Sequence, residues 1–161
     1  MNIFIFDCDI EKNVRQYCDK HVVKQILEYS QILCSPHANG FAPYKRTHYN
    51  HPCTKWAREC EVNYNYLCEL ALALCEEYAF RYNREHKSKE VIKWCISNKH
   101  LLKFESNYCD MTRFAQAMPE EYKSIMSAVH AYRSYFNGEK QHIAKWTKRP
   151  TPEWFVKESS K

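Results

Sequence analysis

Apolar positions recur with a helical period along most of the chain. Val14, Tyr17, Cys18, Val22, Ile26, Tyr29 and Leu33 fall three or four residues apart, predicting one helix over 14–33. Residues 34–53 break the period: three Pro, one Gly and two Asn mark a long loop. A second helix is expected over 54–83, from Trp56, Tyr64, Leu67, Leu70, Leu74, Tyr78 and Arg81, with Thr54 as its N-cap. A third begins near Ser88 and carries Val91, Ile92, Trp94 and Cys95. A fourth is expected to start at Pro119, with Glu120 and Glu121 in its first turn, and to run through Tyr135. At the N-terminus, Asn2–Phe6 reads as a short strand or a buried extended arm, with Asp7 and Asp9 as candidate N-caps behind it. The aromatic, Pro-rich tail from Lys145 to Phe155 is expected to lie extended on the surface or across the core. Together these predict an all-α fold: one compact helical domain over 1–161, with one long loop and an extended C-terminal tail.

Composition agrees with that reading. Among 161 residues, 45% are hydrophobic and 15% aromatic, enough for a core, while only two are Gly, which disfavours a turn-rich β fold. Nine Cys occur with no CxxC pair, and the first residues lack the basic and apolar regions of a signal peptide. Free, mostly buried thiols in a reducing cytoplasmic setting are therefore expected. No run approaches the ~20 apolar residues of a membrane span, so no membrane partner is expected. The net charge of +5 is compatible with nucleic acid and equally with an ordinary solvated surface.

One polar stripe stands apart from the apolar one. His21, Lys24, Glu28 and Gln31 are spaced three, four and three residues apart, so they share a helix face. An imidazole, an amine and a carboxylate so placed suit acid–base work, or iminium formation with a sugar aldehyde. The same stripe is also what a solvated face with one Lys–Glu pair looks like. His48-x-x-His51-x-Cys53 and Cys18-x-x-His21 offer zinc-type ligands without the paired short spacings of structural zinc sites. The alternative is that His51 caps a turn before Pro52 while Cys53 packs inside; no metal or other cofactor is expected. Basic residues interleave with aromatics at Tyr44-Lys45-Arg46 and at Lys145-Trp146-Thr147-Lys148-Arg149. Such residues can meet phosphates and stack on unpaired bases, or Trp146 and Trp154 can pin the tail to the core.

Three segments, taken in order, resemble the phage pyrimidine-dimer DNA glycosylases of the dimer-specific endonuclease V type. Asp19-Lys20-His21-Val22 followed by Glu28 is similar to the family's Asp-Gln-His-Leu run and its catalytic glutamate. Tyr66-Leu67, Leu74, Glu77 and Arg81 recur at the spacing of the central helix of that family. Pro119-x-Glu121-Tyr122-Lys123, and later Arg149-Pro150-Thr151 before an aromatic, resemble two runs near its C-terminus. The resemblance implies an all-α enzyme that bends double-stranded DNA and extrudes a base. It also implies attack by an N-terminal amine on C1′, base loss, an iminium, and strand nicking by β-elimination, with Glu28 stabilising the sugar cation. For a phage-type enzyme the setting would be the host cytoplasm, and a monomer is favoured.

Where the family exposes Thr by removal of Met, residue 2 here is the bulkier Asn2, so the amine is expected on Met1. The family's two DNA-contacting arginines on the first helix correspond to Leu27 and Gln31. An α-amine titrates near ~7.8 and an ordinary Lys near ~10.4, which ranks Met1 ahead of Lys24 as nucleophile. Water activated by Glu28 is a third option. The expected catalytic set is thus Glu28, Met1, Lys24 and His21. The expected DNA-binding set is Gln31, Lys45, Arg46, His51, Lys145, Lys148 and Arg149. Two other functions remain open at this point: a nucleotide or DNA hypermodification enzyme on the same fold, and a non-catalytic DNA-binding or metal-binding protein.

Overall fold

The computed structural model describes residues 1–38 and 40–159; Asn39, inside the expected loop, and residues 160–161 lie outside the described residues. Six α-helices form a compact arrangement: α1 (Ile10–Arg15), α2 (Asp19–Cys34), α3 (Pro52–Glu59), α4 (Glu61–Tyr82), α5 (Lys89–Ser97) and α6 (Ala128–Glu139). The described residues contain no strand, as the all-α expectation requires, and no helix long and apolar enough to cross a membrane. Helix α4 is central and packs against α1, α2, α3 and α5. It buries Tyr64, Leu67, Leu70, Ala71, Leu74 and Tyr78 against Val22, Ile26, Tyr29 and Leu33 of α2.

Two expected helices are each broken in two, and in both cases tertiary hydrogen bonds end the first piece. The helix expected over 14–33 stops after Arg15 and restarts at Asp19, with Cys18 extended between them. The last carbonyls of α1 have no partner within the helix. The buried Arg81 guanidinium supplies one: Nη1 donates to Tyr17 O at 2.8 Å and Nη2 to Arg15 O at 3.2 Å. The helix expected over 54–83 is likewise interrupted at Cys60, whose backbone is extended. There Ser106 N donates to Glu59 O (2.7 Å), Glu105 N to Arg58 O (3.3 Å) and Asn63 Nδ2 to Trp56 O (2.8 Å). Its start is also corrected. The N-cap is His51, with Pro52 in the first turn, and Thr54 is a buried residue of α3. The far end is as expected: Asn83 closes α4 in the left-handed conformation, a common helix terminator.

The helix expected from Pro119 is reduced to one 3-10 turn, Glu120–Tyr122. The Gln116 side chain takes both backbone groups of Ser124, donating to its O (2.7 Å) and accepting from its N (2.8 Å). A helix cannot run through a residue held that way, so α6 starts at Ala128, with Ser127 Oγ accepting from His130 N. The tail is held by Trp146 and Trp154, whose indole N–H groups donate to the Gln16 carbonyl (2.9 Å) and side chain (2.5 Å). The rings of Trp146, Trp154 and Phe155 surround Phe136 of α6.

Candidate active site around Glu28

The site is built from the N-terminal arm. Ile3, Phe4, Ile5 and Phe6 are buried, yet the arm pairs with no strand, so its backbone groups need other partners. Side chains supply them. Phe4 N donates to Tyr29 Oη (3.1 Å); the Tyr17 and Tyr29 hydroxyls are 2.6 Å apart; Tyr17 Oη donates to Phe4 O (2.6 Å). The Phe4 peptide is thus closed into a ring by two buried phenols. Asn13 accepts from Phe6 N (2.7 Å) and donates to Phe4 O (3.1 Å), and Arg133 donates twice to Phe6 O. Burial raises both phenol pKa values well above the ordinary Tyr range, so both stay neutral donors.

Tyr29 follows Glu28 on α2, so a pin at Phe4 delivers residue 1 to that carboxylate. The α-amine of Met1 lies 3.5 Å from Glu28 Oε2. Lys24 Nζ lies 3.3 Å from Glu28 Oε1. Both candidate amines therefore flank one carboxylate, one beside each oxygen. Their settings differ: the Met1 and Glu28 side chains are 7% and 12% exposed, and that of Lys24 is 68% exposed.

His21 lies under the arm, its ring 4.2 Å from that of Phe4. Burial, with Lys140, Lys24 and the α-amine nearby, lowers its pKa to about 3. It is a neutral wedge between arm and helix rather than a proton carrier near neutrality. His51 caps α3, its Nδ1 accepting from Cys53 N at 3.1 Å, and Cys53 is fully buried. Burial and the nearby α-amine and His48 lower the His51 pKa, with Glu28 opposing them. His51 therefore borders the Met1–Glu28 cluster. Among the described residues no three His, Cys, Asp or Glu side chains converge as a metal site would need.

Sequence reasoning passed over one member of this face. Gln25 is 3% exposed and lies one turn beyond His21. His21 Nδ1, Gln25 Oε1 and Glu28 Oε2 are all buried without a hydrogen-bond partner among the described residues. Their spacing of four and three residues was visible in the sequence; that all three would be covered was not.

The expected DNA-binding residues divide by what they already hold. Arg46 donates to Ser35 O and His37 O, and Arg149 forms a two-point ion pair with Glu77 (2.9 and 2.8 Å). These guanidiniums brace the loop and the tail. Lys45, Lys145 and Lys148 are exposed, although Lys148 Nζ touches Phe80 O at 3.1 Å, and Gln31 is half-buried one turn from Glu28. The largest concavity, about 1290 Å³, runs along the tail past Lys145, Trp146 and Phe155 and is not lined by Glu28.

The residues that carry the resemblance meet in one network. Arg81 donates to Glu77 (2.8 Å) and Asp19 (3.0 Å), and Thr147 donates to both Asp19 oxygens (2.8 and 2.6 Å). With Arg149 on Glu77, α4, the start of α2 and the tail are tied together. Burial alone would raise the Asp19 and Glu77 pKa values. The hydrogen bonds outweigh it and lower both, through Thr147 and Arg81 at Asp19, and Arg149 and Arg81 at Glu77.

Neither the curated proteins nor the solved structures contain a significant match to this chain. A family model described as pyrimidine dimer DNA glycosylase matches residues 1–90, which include the arm, α1 to α4, Glu28 and the Asp19–Glu77–Arg81 network. With more than half of its length matched, the chain belongs to the pyrimidine dimer DNA glycosylase family.

Proposed function

We propose that the protein releases a damaged pyrimidine from double-stranded DNA and then nicks the strand, with the Met1 α-amine as nucleophile and Glu28 as its proton partner. The observation that carries this reading is the 3.5 Å approach of the α-amine to Glu28 Oε2. The amine nitrogen bonds to C1′ as the C1′–base bond breaks, and the base leaves with the electron pair and takes up a proton. Loss of the amine proton and opening of the sugar give an iminium at C1′. Removal of a C2′ proton then breaks the C3′–O bond. Glu28 offsets the positive charge that develops on the sugar and exchanges protons with the amine and C2′. As a class, α-amines are partly unprotonated near neutrality, with values near ~7.8, which suits this chemistry without further activation.

His21 supports the arm, and Lys45, Lys145, Lys148 and Gln31 are proposed to meet the duplex backbone. Each lost phosphate contact should lower the salt dependence of binding by about 0.9 in log–log slope. Borohydride trapping on a duplex with an abasic site tests the nucleophile. A covalent adduct mapped by mass spectrometry to the peptide bearing Met1 is expected. An adduct on Lys24, which lies 3.3 Å from Glu28 Oε1, would transfer the role to that amine. Base release with no adduct would mean that water is the nucleophile and would remove the lyase step. Glu28→Gln should abolish base release while duplex binding survives.

A further inference from the structure

Ile125 and Met126 are 87% and 93% exposed, the most exposed of the large apolar side chains. They form the apex of a short tip, Ser124–Ser127, outside the matched residues 1–90. Single exposed apolar residues are ordinary; two adjacent ones on a braced apex are a different case. The tip is held at both ends. Gln116 bonds both backbone groups of Ser124, Ser124 Oγ accepts from Ser127 N (3.2 Å), and Ser127 caps α6. Its back is lined by Phe114, Gln116 and Arg113. Among the described residues Arg113 makes no ion pair.

The same bracing places the tip on the side of the candidate active site. Tyr132 Oη donates to Ala115 O at 2.6 Å and lies 3.5 Å from Oδ1 of Asn2, the neighbour of Met1. Ala115 adjoins Gln116, and Gln116 holds Ser124. Only a few side-chain lengths therefore separate the α-amine from the apex, a span of a few base steps at ~3.4 Å each.

We propose that Ile125 and Met126 form an apolar wedge that enters the base stack of duplex DNA beside the nucleotide being processed, with Arg113 taking an adjacent phosphate. The proposal rests on the reading of the Met1–Glu28 cluster as a DNA-processing site. Apolar side chains inserted at a base step unstack it and kink the duplex, and the bend lets more protein surface meet the backbone. Extruding a nucleotide has the same cost to meet, since its neighbours must be unstacked. A rigid apolar apex suits such insertion, because the backbone is already ordered and water is released from two apolar side chains as they enter.

The probe is a duplex with a tetrahydrofuran abasic analogue and 2-aminopurine as the adjacent base, whose fluorescence rises when it unstacks. Wild-type protein is expected to raise the fluorescence on binding, and Glu28→Gln to raise it equally. Ile125→Ser/Met126→Ser should lose most of the rise and bind this duplex about tenfold more weakly. It should keep wild-type affinity for the corresponding single strand, where there is no stack to enter. Because both side chains are almost fully exposed, the double variant should show wild-type thermal unfolding. Arg113→Ala should weaken duplex binding and flatten its salt dependence while leaving the fluorescence rise. A double variant with the full rise and unchanged affinity overturns the wedge and leaves the DNA reading standing. Wild-type protein that binds no duplex overturns both. Concentration-dependent self-association abolished by the double variant would assign the apex to a contact between copies and overturn the wedge as well.

Discussion

Replacing Tyr29 by Phe removes one hydroxyl from the ring Phe4 N–H, Tyr29 O–H, Tyr17 O–H, Phe4 C=O. The Phe4 N–H is then buried with no acceptor, since Phe4 is 3% exposed. An orphaned buried donor costs ~1–3 kcal/mol, which in a chain of this size lowers Tm by roughly 3–10 °C. Tyr17→Phe strands the other end: the Tyr29 hydroxyl proton loses its acceptor, while Phe4 O keeps the Asn13 amide at 3.1 Å. That single change is expected to cost a similar ~1–3 kcal/mol. The double variant leaves only one orphan, Phe4 N–H, so its loss should stay near that of Tyr29→Phe alone. The two changes are then non-additive by ~1–3 kcal/mol, well above the error of a double-mutant cycle. Thermal and denaturant unfolding of the four proteins measures this directly. The consequence for the site is specific. Phe4 N is the pin that fixes residue 1 beside Glu28, so borohydride trapping should slow more in Tyr29→Phe than its stability loss at the assay temperature explains. Additive stability changes, or trapping at the wild-type rate, would show that the phenol ring does not hold the arm.

Other expectations concern the charge network and His21. Glu77→Gln leaves Arg81, fully buried, and Arg149 sharing one less carboxylate, and should cost about 3 kcal/mol in denaturant unfolding. The Asp19 and Glu77 pKa values are lowered in the folded state, so their stabilisation is complete above the ordinary carboxylate range near ~4 and is lost as pH falls through the folded values. Trp fluorescence should accordingly shift to the red below about pH 4 as Trp146 and Trp154 leave Phe136; an unchanged spectrum down to pH 2 would contradict the clamp. His21 is lowered to about 3 from 6.5, so the unfolded chain takes up its proton first and stability declines as pH drops between those values. His21→Phe should remove up to about 1.4 kcal/mol per pH unit of that slope while keeping the contact with Phe4.

The sequence determined the fold class and the identity of the carboxylate. Helical periodicity and scarce Gly gave an all-α chain, because 3.6-residue spacing is a local property that each segment carries for itself. The spacing of His21, Lys24, Glu28 and Gln31 put these side chains on one face for the same reason, and the run around Asp19 with Glu28 carried the family relation. His51 before Pro52 announced a cap, and the two Trp of the tail announced an anchor; both are found. Tertiary structure decided everything that depends on a partner distant in sequence. The breaks after Arg15 and at Cys60 exist because Arg81 and residues 105–106 satisfy carbonyls that a continuous helix would otherwise use itself. Pro119 and its two Glu signalled a helix, but the Gln116 side chain holds Ser124 first. Arg46 and Arg149 read as phosphate ligands until the fold gave them carbonyls and Glu77. The meeting of Met1 and Glu28 spans 27 residues and rests on two phenols, an asparagine and an arginine that no local pattern links to the N-terminus. The carboxylate was legible because a helix face is local; the amine beside it was not, because only the packed core brings the arm there.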